Sequence, residues 1–186
     1  MKYMEKGGFQ NQPLMRLTLA LTLGLLLAFW LTNFGVYFSR MSLRPSSVVA
    51  YYNGSEADYR PPRSAGSMLE TTHMHLPMMG MVLLFLTHLA IFVPLPRGAK
   101  VTLIASTFIS AVLEEGGGWL VRFVSPAFAP LKVVGFVGLQ SAIFFLLAAL
   151  GVFLVQAARA QREEAADEER NRRAGAERRI QLDVIP

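Results

Sequence analysis

The chain has 186 residues, 53% of them hydrophobic, and a mean hydropathy of +0.38, which leaves room for one compact domain that is too apolar for water alone. Cysteine is absent, which excludes disulfides, thiolate metal sites and thiol nucleophiles. The formal charge of +5 points to lysines and arginines flanking membrane spans, in contact with anionic lipid, and not to nucleic acid.

A spanning helix needs about 20 mostly apolar residues. In chain order, residues 1–16 read as a cytoplasmic N-terminal segment with no signal-peptide pattern, and residues 17–38 as the first span. An external loop over 40–66 follows. It is turn-rich, with Tyr51-Tyr-Asn-Gly54 and Tyr59-Arg-Pro-Pro-Arg63. The second span covers 77–93, or starts as early as 67 if Ser67-x-x-Glu70 is a capping box and the helix continues through Pro77. The third span is 101–124, joined to the second by the helix breakers of Pro94-Leu-Pro-Arg-Gly, so that spans two and three form a hairpin. The fourth is 131–155, and 156–186 is a charged cytoplasmic tail, helical at first.

The expected fold is therefore all-α, a four-helix integral membrane bundle spanning 17–155. The basic residues Lys2, Lys6, Arg16, Arg97, Lys100, Arg159, Arg162, Arg170, Arg172 and Arg173 place both termini inside, against Arg40, Arg44, Arg60 and Arg63 outside, with Arg122 and Lys132 at span ends.

Ionisable groups at membrane depth are costly and mark functional sites. All three histidines, His73, His75 and His88, fall within sixteen consecutive residues. On a continuous helix His73 and His88 lie about 60° apart in azimuth and about 22 Å apart along the axis, with His75 pointing elsewhere. If the helix begins at Pro77, His73 and His75 instead project to one side and can chelate a metal. Met74 and Met78 stand beside them, and thioether with imidazole suits copper, although methionine also serves as plain apolar filler.

Counted from the span ends, His88, Glu114 and Gln140 reach similar depths and form a possible polar cluster. Such a cluster can serve a quinone, a proton path or a metal, or can simply tie the bundle together. Adjacent Glu114 and Glu115 lie about 100° apart and face different partners. Gly116–Gly118 either loosens the helix or admits a close neighbour. A bis-histidine haem b needs a ligand on each side, and spans one, three and four hold no histidine, so the chain offers one His/Met site or shares sites with an identical or different subunit. Hydrolase elbows, nucleotide-binding loops and the H-E-x-x-H zinc motif are all missing.

The segment Glu70-Thr-Thr-His-Met-His-Leu-Pro-Met-Met-Gly-Met81, followed by Thr87-His88 and Val124-Ser-Pro-Ala-Phe-Ala129, resembles a group of small bacterial four-helix inner-membrane proteins in which a T-H-x-H segment opens the second span. The resemblance implies a place among respiratory or other electron-transfer components, and it carries over to His73, His75 and His88. The expected function is a membrane subunit of such a system, with haem b or quinone near the histidines; a copper-binding or copper-handling membrane protein is a separate reading. A non-catalytic assembly subunit is the alternative. Expected partners are the bilayer and either a second copy or other redox subunits.

Overall fold

The computed structural model describes residues 12–183 and is helical, with no strand among them beyond an isolated bridge between Ser55 and Arg60. Lys2 and Lys6, invoked above for orientation, lie outside the described residues. The helices are α1 (Pro13–Arg40), α2 (Pro45–Asn53), α3 (Ala65–Ala90), α4 (Arg97–Phe123) and α5 (Ala129–Asp183). A short 3₁₀ turn, Pro126–Phe128, joins α4 to α5. Among the described residues three stretches are long and apolar enough to cross a membrane: Leu14–Arg40, Ala65–Ala90 and Pro126–Gly175. Helix α4 is as long as α3 but carries Arg97, Lys100, Glu114, Glu115 and Arg122.

Two units divide the chain. Met1–Thr22 and Gly151–Pro186 form one; its described part is the beginning of α1 and the far portion of α5. There the exposed pairs Arg170–Asp167, Arg172–Glu168 and Arg173–Glu169 repeat at helical spacing, each contributing a few tenths of a kcal/mol at most by the ~0.3–0.5 kcal/mol norm for such pairs.

The other unit, Leu23–Leu150, holds the core. Val48 and Tyr52, one helical turn apart, give α2 a buried face, so the connection expected as a turn-rich loop contains a packed helix. That face meets Met68 of α3, Val121 of α4 and Ala129 and Phe136 of α5 in one apolar cluster, which Tyr37 and Met41 complete. The Tyr37 and Phe136 rings stack with centroids 3.7 Å apart.

Helix α3 begins two residues before the earlier of the two expected starts. Ser64 is its cap: the hydroxyl accepts from the Ser67 amide at 3.2 Å. The helix then runs unbroken through Pro77, which cannot donate to the His73 carbonyl a turn earlier. The alternative start at Pro77 is thereby corrected. On a continuous helix His73 and His75 point about 200° apart and do not chelate one metal together.

Three glycines set how closely α4 and α5 approach. A Cβ on Gly117 would sit 2.9 Å from Lys132 Cα, and one on Gly138 2.5 Å from Ser110 Oγ. On Gly135 it would overlap the backbone of Leu113 and Glu114. Gly118 makes room for the Tyr52 ring in the same way, while Gly116 faces open space. The glycine run thus stays helical and serves close approach.

Candidate functional site

Because α3 starts at Ala65, every depth on it shifts from the value counted from Pro77. His88 moves to the far end, two residues before Ala90, while His75 lies ten residues in, about 15 Å along the axis. Glu115 is eight residues from the other end of the antiparallel α4, a matching depth. His75, and not His88, therefore meets the α4 acids.

His75 Nδ1 lies 3.4 Å from Glu115 Oε2, and the Thr72 hydroxyl donates to Glu115 Oε1. Trp119 Nε1 donates in turn to Thr72 Oγ1 at 2.9 Å. The spacing explains the group: Thr72 and His75 are three apart on α3, Glu115 and Trp119 four apart on α4, so each pair shares a helix face. With Glu115 a carboxylate acceptor, Nδ1–H of His75 is the matching donor, and in the neutral imidazole Nε2 then keeps its lone pair. Exposure grades along the relay, from 13% for the Glu115 side chain to 55% for His75.

The neighbouring Glu114, about 100° round the helix, faces α5 instead. Lys132 pairs with its carboxylate and also donates to its backbone carbonyl at 2.6 Å. The Lys132 side chain is 7% exposed and that of Glu114 18%, so this ion pair is largely removed from solvent. Burial pushes the Tyr52 phenol of α2 above its ordinary value, and the nearby Lys132 ammonium opposes that shift.

Both pairs line one cavity of about 450 Å³, within the range typical of ligand sites. Phe29 and Val36 of α1, Met79 and Leu83 of α3 and Ile143 of α5 give it an apolar wall. Gln140 also lines it, with Oε1 buried and without a hydrogen-bond partner; its backbone carbonyl accepts from Trp30 Nε1 at 2.9 Å.

The structure gathers some of the expected site residues and disperses others. His75, Glu114, Gln140, Met74 and Met78 reach the cavity. His73 and His88 are exposed on α3 and do not line it. The His88 ring meets Phe92, with centroids 5.8 Å apart, so the expected cluster of His88 with Glu114 and Gln140 is replaced by His75 with Glu115. Among the described residues no three His, Cys, Asp or Glu side chains converge as a metal group. Glu115, Thr72, Trp119 and Lys132 were missed as site residues. The legible signal was the pair of helical spacings, Thr72/His75 against Glu115/Trp119, had α3 been started upstream.

No curated protein and no solved structure matches the chain. A family described as a transmembrane helical domain, Aq_1264_TM, matches residues 42–164, which hold α2, α3, α4 and the first part of α5. With its long apolar helices and a match over more than half its length, the chain belongs to the Aq_1264_TM family of transmembrane helical domains.

Proposed function

We propose that this protein is a membrane subunit of an electron-transfer system and that its cavity binds the headgroup of a quinone beside His75. The observation that carries the reading is the Trp119–Thr72–Glu115–His75 relay in the wall of an otherwise largely apolar cavity. A quinone is a flat apolar ring with two oxygens. Its reduced form donates to an imidazole lone pair, and its oxidised form accepts from a protonated imidazole, so one histidine serves both states. Glu115 steadies that histidine in either state.

Haem b and copper fit the described residues less well. His73, His75, His88, Met74 and Met78 all stand on the single helix α3, where His75 is already engaged by Glu115, and no histidine stands on the other helices to face them. A second axial ligand would therefore come from another chain. A role limited to assembly leaves the graded polarity of the cavity without a purpose.

The same reading places four spans in a bacterial inner membrane. Helix α4 joins α1, α3 and α5 there because Lys132 and His75 offset the cost of its two acids. Arg16, Arg97, Lys100, Arg159 and Arg162 then lie inside with both termini, and the 41–64 connection outside.

Trp119 reports on the site directly. In a Trp30→Phe background, a short-chain quinone should quench Trp119 fluorescence saturably. His75→Leu should weaken binding by about 10- to 100-fold, the size of a lost hydrogen bond to a charged group. His88→Leu, remote from the cavity, should leave binding unchanged. Equal affinity in wild type and His75→Leu, or no saturable quenching, would sink the reading.

A further inference from the structure

The cavity carries more positive charge than its own acids neutralise. Glu114 is engaged by Lys132, and Glu115 by His75 and Thr72. That leaves Arg63 and Arg40, which also line the cavity. They stand at its loop end, Arg40 closing α1 and Arg63 two residues ahead of α3, twelve positions before His75. Among the described residues neither arginine has a carboxylate within ion-pair distance.

Arg63 is also held in an unusual posture for a headgroup-zone arginine. A side chain serving only as an interfacial anchor extends towards bulk water and lipid phosphate. Here the guanidinium folds back over the Tyr51 ring, 5.3 Å from its centroid. Its Nη1 donates to Tyr51 Oη at 3.0 Å and its Nη2 to Ser67 Oγ at 2.9 Å, both neutral partners. The main chain is fixed as well: Arg122 Nε donates to the Arg63 carbonyl at 2.8 Å, and the Arg63 amide to Tyr52 O at 3.0 Å. Nε is buried without a partner. A cation ordered in advance loses little freedom when it meets an anion. Guanidinium geometry suits phosphate in particular. Beyond it the wall formed by Phe29, Val36, Met79 and Leu83 suits an acyl chain.

We propose that the loop end of the cavity binds an anionic membrane lipid, its phosphate on Arg63 and Arg40 and an acyl chain along the apolar wall. This site does not rest on the quinone reading, whose polar contacts lie deeper, at His75 and Glu115.

The test uses the full chain in nanodiscs of phosphatidylcholine doped with phosphatidylglycerol, with retained lipid read by native mass spectrometry. Wild type should retain phosphatidylglycerol selectively. Arg63→Gln and Arg40→Gln should each lower that retention by roughly tenfold, the scale of a lost charge-assisted bond. Arg63→Lys should keep part of it. Arg40 is exposed, so its variant tests the site without disturbing the Tyr51 and Ser67 bonds. His75→Leu should leave lipid retention intact while weakening quinone binding, which separates the two sites. Equal retention of phosphatidylcholine, or undiminished phosphatidylglycerol in both glutamine variants, overturns the proposal. Displacement by inorganic phosphate alone also overturns it, because the site would then be a simple anion site and not a lipid site.

Discussion

Lys132→Met should destabilise the protein by about 3–5 kcal/mol, the usual penalty for removing one partner of a buried ion pair. Methionine fills a similar volume and keeps the packing against Gly117, so the loss isolates the charge. What remains is the Glu114 carboxylate, with no other cation bonded to it and a carbonyl beside it that has lost its ammonium donor. A second substitution decides the cause. Glu114→Gln in the same chain removes the orphaned charge, and the double variant should recover most of the stability. The measurement is denaturant unfolding in mild detergent micelles, comparing both single variants and the double. If the double variant is as unstable as the sum of the singles, the pair is not coupled. Lys132 would then matter only for its shape.

The glycine seam gives the second large effect. Gly135→Ala would place a methyl against the backbone of Leu113 and Glu114, which cannot rotate away as a side chain can. Helices α4 and α5 must separate, at a cost of about 1–3 kcal/mol. The separation would also stretch the Lys132–Glu114 pair. Gly117→Ala should act in the same direction, because its Cβ would lie 2.9 Å from Lys132 Cα. Gly116→Ala should do the reverse. Its Cβ meets open space, so replacing a mid-helix glycine stabilises by about 0.5–1 kcal/mol. Thermal midpoints of the three variants test the assignment, and an equal response to Gly116→Ala and Gly117→Ala would contradict it.

The long helices were legible because lipid imposes length and apolarity together, and their bounds differ from expectation mainly at the ends. The stretch 17–38 lies within Pro13–Arg40, while 101–124 coincides with the helix Arg97–Phe123, which is not among the three stretches apolar enough to cross a membrane. The start of α3 was harder. Ser64 and Ser67 both offer capping hydroxyls, and Pro77 is a competing signal for a helix start. Counting depth from Pro77 put His88, and not His75, level with Glu114. The different facing of Glu114 and Glu115 followed from helical geometry alone, whereas their partners did not. Lys132 reads in sequence as a charge at a span end, and only packing against Gly117 reveals it as buried. Helix α2 escaped notice because its nine residues lie between turn signals, and its two buried side chains find their cover only in the folded bundle.

The two acids of α4 also set a timetable for synthesis. In the proposed four-span arrangement α4 emerges from the ribosome before α5, and so before Lys132 is free to meet Glu114. Glu115 already has His75 available on α3, the preceding arm of the hairpin. Entry of α4 into the bilayer is then a two-stage event: the hairpin with α3 supplies the first counter-group, and final seating waits for the beginning of α5. An arrest that had released α4 but kept Lys132 inside the ribosome would hold α4 half-seated, with Glu114 still without its counter-group.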